Sequence, residues 1–235
     1  MLKYQKIAND IRQEIMQGDY LPGEQLLLEK EMCAQYKVSR ITIKRALDEL
    51  VGQGLVVKRR GAGTFVKTLD NQDVKELSLA HQFSGFAETY QASKVDTRCI
   101  RFEIVNPEAE VAAKLQMTTE DFIYDIIRVR YVDDTPIVIE YTKMPIQRIS
   151  GMRQEVLLHS IYAYIEGTLH LKIQSAHHTV RAVVATEKEQ DYLQMTGLPV
   201  LEVEQVAFLD DGRPFEYSIS HHRADKSAFK AISIR

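Results

Sequence analysis

Residues 38–66 read VSRITIKRALDELVGQGLVVKRRGAGTFV, and this stretch decides the fold. Ile43, Ala46, Leu47, Leu50 and Val51 recur at spacings of three and four, which lays an apolar stripe along one helical face. The opposite face carries Arg40, Thr42, Lys44 and Arg45. Ser39 stands just before the first periodic residue, where its hydroxyl can accept from an orphan N–H of the first turn, and Gly54 follows the last. Residues 55–60 and 64–66 then read as two short strands around Gly61-Ala62-Gly63, whose glycines permit positive φ and close backbone approach. The pattern is a cationic helix followed by a basic hairpin, a DNA-reading helix with a wing. Arg40 and Lys44 lie side by side near the helix N-terminus, the part of such a helix that enters the major groove.

Charges on a helix face are ordinarily just solvated. Here the context argues otherwise. Between residues 37 and 67 the basic residues are Lys37, Arg40, Lys44, Arg45, Lys58, Arg59, Arg60 and Lys67, against only Asp48 and Glu49. Residues 1–68 hold 12 Lys+Arg and 8 Asp+Glu, leaving 18 and 25 in the remainder, so the overall charge of −3 divides into +4 and −7. A small DNA-binding module joined to an acidic domain gives this asymmetry, because counterion release needs a local basic patch and not a basic protein.

Upstream, Tyr4, Ile7, Ala8, Ile11 and Ile15 share one helical face over residues 2–17, and Gly18 ends the run before a Pro22-Gly23 turn. A second short helix spans about 29–36, with Met32, Cys33 and Tyr36 inward. Three helices and a hairpin make a winged helix-turn-helix over residues 1–67. The chain's 235 residues and 45% hydrophobic content suit a second, larger domain with its own core. No signal peptide or membrane span is expected, which places the chain in the cytoplasm. Cys33 and Cys99 stand far apart with no CxxC or Cys/His cluster near them, so both are expected as buried thiols, without a disulfide or zinc site.

This module resembles the GntR family of bacterial transcription regulators, whose motifs run approximately Leu-Pro-Ser-Glu-Arg, Val-Ser-Arg-x-Thr-Val-Arg and Gly-x-Gly-Thr-Phe-Val. The chain has LLLEK at 26–30, VSRITIK at 38–44 and GAGTFV at 61–66, in the same order. Leu27 and Leu28 replace the family's Pro-Ser, which removes a capping hydroxyl. Lys30 and Lys44 replace arginines and lack the planar fork that grips guanine. The resemblance implies a DNA interface of Lys30, Ser39, Arg40, Thr42, Lys44, Arg45, Lys58, Arg59, Arg60, Gly61, Gly63 and Thr64.

Residues 68–78, TLDNQDVKELS, are polar and lack periodicity, so they form the expected linker to a domain over 79–235. That domain carries an internal duplication. LQMT occurs at 115–118 and 193–196, and the copies lead into RVRYVDDTPIVIEY and EQVAFLDDGRPFEY. Asp133-Asp134 and Asp210-Asp211 begin hairpin turns, and Ile126, Arg128, Arg130 and Val132 alternate as in a strand. Two helix-plus-hairpin halves predict one antiparallel sheet with helices on one face, which makes the whole chain α+β.

Arg128 and Arg130 are two apart on a strand, so they emerge on one face and can grip one anion together. The alternative is an exposed face in which Asp125 or Glu140 answers them. Gln205 and Ala207 stand at the corresponding positions of the other half, so the duplication itself does not demand the pair. Glu140 and Glu216 occupy one place in the two repeats and can accept from ligand hydroxyls or an amine. This half is similar to the UTRA effector-sensing domain, related in fold to chorismate lyase, that accompanies the HutC subgroup of GntR regulators. The resemblance implies a phosphosugar-type site of Arg128, Arg130, Glu140 and Glu216, with Ser160 and Tyr162, and backbone donors around Ser84, Gly85 and Phe86. It also places His222 where relatives carry a ligand-facing tyrosine.

Adjacent histidines at 177-178 and 221-222 point to opposite strand faces and cannot chelate one ion as a pair. No GxSxG, HExxH, Walker or GxGxxG element occurs. The expectation is a homodimeric, cofactor-free regulator that binds double-stranded operator DNA and is released by a small anionic effector such as a sugar phosphate. Two readings compete with it: a lyase-type enzyme on the same fold, and a constitutive DNA-binding protein without an effector.

Overall fold

The computed structural model of the chain describes residues 2–68 and 93–229. It divides into two compact units, the first holding residues 2–68 and 229 and the second 93–228 among those described. Ser84, Gly85, Phe86 and most of the expected linker lie outside the described residues.

In the first unit, α1 (Lys3–Gln17) buries Ile7, Ala8, Ile11 and Ile15 and stops at Gly18, whose φ of 85° only glycine adopts without strain. Helix α2 (Glu29–Tyr36) starts at Leu28, which supplies no side-chain cap, as the loss of the family's serine implies; Glu31 Oε2 instead accepts from the Leu28 N–H at 2.9 Å. Helix α3 (Arg40–Gly52) starts at Ser39, whose hydroxyl accepts from the Thr42 N–H at 3.3 Å. Ile43, Ala46, Leu47 and Leu50 are at most 1% exposed and pack on α1 and Met32. Each large member of that stripe contributes about 1.5–3 kcal/mol by leaving water. Strands β1 (Val56–Arg59) and β2 (Gly63–Val66) pair antiparallel from Val56↔Val66 to Arg59↔Gly63, which closes the wing at residues 60–62. The segment before α2 joins them: Leu26 N–H donates to Thr64 O, Val66 N–H donates to Glu24 O, and Gln25 bridges Phe65.

The second unit is one antiparallel sheet in the order β3-β4-β5-β8-β7-β6. Its elements run β3 (Val95–Val105), α4 (Ala109–Lys114), β4 (Ile123–Val132), β5 (Thr135–Pro145), α5 (Gln154–Leu157), α6 (Ile161–Gly167), β6 (Ile173–Val184), α7 (Glu187–Leu193), β7 (Pro199–Leu209) and β8 (Pro214–Arg223). Each half is therefore strand, helix, hairpin, and the halves meet where β5 pairs with β8. The repeated LQMT is a shared helix stop: Gln116 and Gln194 take φ of 49° and 50°, and Leu115 and Leu193 are fully buried. The structural repeat is larger than the sequence repeat, because the edge strands β3 and β6 share no residue pattern that betrays their equivalence.

The expectation of helices on one face is corrected. Helices α4 and α7 cover one side, against Ile123, Val129, Ile139 and Tyr217. Helices α5 and α6 cover the other, against Tyr124, Ile126 and Met144. Alternation explains it, since successive β4 residues alternately feed the two cores. Cys33 and Cys99 are free and half-buried, not fully buried.

Candidate DNA interface and effector site

The exposed side of α3 is built by exclusion. Once Ile43, Ala46, Leu47 and Leu50 face the core, Arg40, Lys44 and Arg45 must face out. Arg40 and Lys44 are exposed and have no side-chain partner among the described residues, and the same holds for Lys30 and for Arg60 beside the wing tip. The other expected contacts are already engaged. The Arg45 guanidinium lies over the Tyr4 ring at 4.3 Å, and Arg59 lies over Phe65 at 4.6 Å. Lys58 Nζ pairs with Asp48 at 2.6 Å. The Ser39 and Thr42 hydroxyls are 3.0 Å apart within the cap. Thr64 is buried, at 7% exposure, whereas the neighbouring Gly61 and Gly63 form the wing turn, at φ 76° and 122°.

Gln25 is a residue that the sequence reading missed. Its Nε2 donates to the Ala62 carbonyl at 2.7 Å and holds the wing tip. A Cβ on Gly63 would run into that amide, so the Gln25 side chain would have to swing away and give up its hold on the wing tip. The signal available was that glycine alone, with nothing to indicate the partner 38 positions upstream.

In the second unit, Arg128 and Arg130 do share a sheet face, but it is buried: they are 6% and 4% exposed. Glu140, not Asp125, answers them. Its Oε2 lies 2.7 Å from Arg128 Nη2 and 3.9 Å from Arg130 Nη1. Asp125 is taken up by Arg101 and Lys143. Arg128 Nη1 also donates to the carbonyls of Leu157 and His159 at 3.2 and 3.3 Å, so this arginine ties the sheet to the turn between α5 and α6. Burial alone would raise the Glu140 carboxyl, but the two guanidiniums overcome it and hold the group below the usual range. Burial lowers Arg130, with Glu140 opposing the shift.

Glu216 anchors the other part of this face. It accepts from Gln205 Nε2 at 2.8 Å and from Ser218 Oγ at 2.7 Å. Burial raises its carboxyl, and the Glu140 charge pushes the same way. Gln205 Nε2 also donates to the Tyr162 hydroxyl at 3.0 Å, and Gln205 Oε1 lies 2.7 Å from His178 Nε2. Burial, seconded by Glu216, pushes the Tyr162 phenol well above its ordinary value. Ser160 is committed as the cap of α6, accepting from the Ala163 N–H at 3.2 Å. His222 Nε2 lies 3.1 Å from Ser220 Oγ, and burial lowers the imidazole to about 4 against the pull of Glu140.

Arg128, Arg130, Glu140, Tyr162, Glu216 and His222 therefore come together, with Gln205 and Ser218 added to them. Gln205 was legible only as the place where the arginine pair is missing. The ensemble offers two guanidiniums at one end and a carboxylate, an amide and a phenol at the other, donors and acceptors for a small polar anion. Cys99 and Thr97, register partners of Arg128 and Arg130, also line an open depression with Tyr131, Gln154 and Leu158, so the arginines lie one strand in from the surface.

Comparison with known proteins bears on both units. Residues 3–66 match the family described as bacterial regulatory proteins, gntR family, and residues 91–228 match the UTRA domain. The chain is 38% identical over 236 residues to the HTH-type transcriptional regulator GmuR of Bacillus subtilis (strain 168), covering 100% of both. It is 30% identical to the mannosyl-D-glycerate transport/metabolism system repressor MngR of Escherichia coli (strain K12), covering 99% of this chain and 96% of that one. The crystal structure of YydK from Bacillus subtilis superposes with a TM-score of 0.84 at 26% identity, covering 97% of this chain and 99% of that chain.

Proposed function

The chain belongs to the gntR family of bacterial regulatory proteins and carries a UTRA domain, and on that premise we propose that it is a repressor released from its operator by a small anionic metabolite, most simply a sugar phosphate. As a member of that family it is a transcription regulator and not an enzyme. Repression is supported by MngR, whose name makes it the repressor of a mannosyl-D-glycerate system. One observation carries the effector class: two buried guanidiniums stand together in one half of a duplicated sheet, where the other half has Gln205 and Ala207. Two guanidiniums on one face offer the forked donors that a phosphate accepts from. Glu140, Glu216 and Tyr162 would meet the sugar hydroxyls.

The reading includes a homodimer, since one recognition helix reads too few base pairs and two-fold pairing reads a near-palindrome. It also includes a DNA-binding domain over 1–67, a linker over 68–78 and an effector domain over 79–235. The effector must bind one arrangement of the paired DNA-binding domains better than another, because equal affinity shifts nothing. Among the described residues no helix is long and apolar enough to cross a membrane.

Hexose phosphates and their parent sugars, compared by thermal shift and by release of a bound operator duplex, test the effector class. A phosphorylated member should raise the melting temperature and release DNA, and Arg130→Lys should weaken both effects, since lysine lacks the fork. Equal action by a neutral sugar would refute it. One observation favours the constitutive reading: Arg128 is already held by Glu140 and two carbonyls. A chain that no anion stabilises would establish that alternative.

A further inference from the structure

Helix α3 exposes one large apolar side chain among its charges. Ile41 is 80% exposed, while Ile43, Ala46, Leu47 and Leu50 on the same helix are at most 1% exposed. It is therefore no part of the core stripe. It sits in the first turn, directly after Arg40, and Lys44 and Arg45 follow at three and four positions on its own face. A β-branched side chain there gains nothing from burial and loses rotamer freedom against the preceding turn, so the helix itself does not call for it. Isolated exposed apolar residues are common on surfaces. This one is distinguished by standing between Arg40 and Lys44, exposed cations with no side-chain partner among the described residues, in the turn that the recognition-helix reading places against base edges.

The major groove presents one apolar group, the 5-methyl of thymine, and aliphatic side chains recognise it by contact. We propose that Ile41 is a specificity-determining residue that reads a thymine by packing on its 5-methyl, while Arg40 and Lys44 hold the helix in the groove. This rests on the reading of α3 as the recognition helix. Isoleucine cannot donate or accept, so the preference it imposes is for the methyl alone, and cytosine or deoxyuracil at that position would be disfavoured equally by its absence.

The experiment uses the full chain and duplexes that it enriches from a randomised pool. Each thymine of an enriched duplex is replaced in turn by deoxyuracil, which pairs identically and lacks only the methyl. At one thymine per half-site the wild-type chain should lose about fourfold in affinity, the worth of one buried carbon. Ile41→Ala should bind the thymine and deoxyuracil duplexes alike, and Ile41→Val should keep part of the difference. Arg40→Ala should weaken binding yet preserve the deoxyuracil penalty. The proposal is overturned if no thymine position responds in wild type, if Ile41→Ala keeps the full penalty, or if the enriched site contains no thymine. Failure to enrich any sequence would overturn the recognition-helix reading along with it, whereas enrichment without a methyl effect overturns the Ile41 assignment alone.

Discussion

Replacing Glu140 with glutamine should expose how much the buried arginines depend on a counter-charge. In the wild-type chain one carboxylate oxygen lies 2.7 Å from Arg128 and 3.9 Å from Arg130, both of which are almost fully buried. Glu140→Gln keeps the shape and removes the carboxylate charge that lies beside both guanidiniums, leaving their mutual repulsion undamped by it. Breaking a buried pair from one side costs roughly 3–5 kcal/mol. Arg128 keeps its two carbonyl acceptors, so the lower end, about 3 kcal/mol, is the expected loss. For a domain of this size each kcal/mol moves the midpoint by about 2–4 °C, so scanning calorimetry should show a drop of roughly 6–12 °C. Inorganic phosphate should recover part of that loss, and should raise the midpoint more in the variant than in wild type, because the anion takes the vacated role. A variant melting within about 2 °C of wild type and indifferent to phosphate would refute the account, since the arginines would then need neither partner.

Other outcomes follow from the same geometry. Arg60→Ala should weaken operator binding evenly over sequences and reduce the salt slope by about 0.9, and Lys58→Ala should do less because Lys58 already pairs with Asp48; an unchanged slope in salt titrations would contradict this. Gly63→Ala should destabilise the wing by about 1–3 kcal/mol through its positive φ and the approach of Gln25, seen as faster amide exchange in β1 and β2. His222 is held neutral in the fold to about pH 4, below its ordinary 6.5, so the unfolded chain binds the extra proton first. Stability from this group is whole above pH 6.5 and falls as pH drops toward 4, by about 3 kcal/mol at most. Denaturant titrations should show that loss shrinking in His222→Asn.

The first unit was readable almost residue by residue, because helix period, cap and wing glycines are local signals. Ser39, Ile43 and Leu47 each announce their place within a few positions. What escaped were contacts between distant segments: Gln25 on the wing tip, Tyr4 under Arg45, and Asp48 on Lys58. In the second unit the hairpins were legible through alternation and the Asp-Asp turns, and β4 revealed that Arg128 and Arg130 share a face. Alternation says which residues share a face, though, and not what covers it. The burial of that face beneath α5 and α6, and the answer by Glu140 in place of Asp125, depend on register between strands, which the chain encodes only in the pairing of β4 with β5. Gln205 was legible only as the place where the arginine pair is missing, since its contact with Glu216 is set by the pairing of β7 with β8, whereas Ser218 shares the Glu216 face by alternation along β8 but nothing in the sequence singled it out.

The strand order β3-β4-β5-β8-β7-β6 reads the same from either end once the halves are exchanged. A scaffold of that kind is indifferent to which half does the binding, and a chain with identical halves would offer two equivalent seats. Here the seats have diverged: one carries a guanidinium pair, and the other has Gln205 and Ala207 in its stead. Among the described residues the diverged halves place the guanidinium pair toward one side of the face and Glu216, Gln205 and Tyr162 toward the other, so a guest of the proposed kind would be oriented along one direction of the sheet. If the proposed effector and homodimer hold, the stoichiometry expected by calorimetry is one guest per chain, two per dimer.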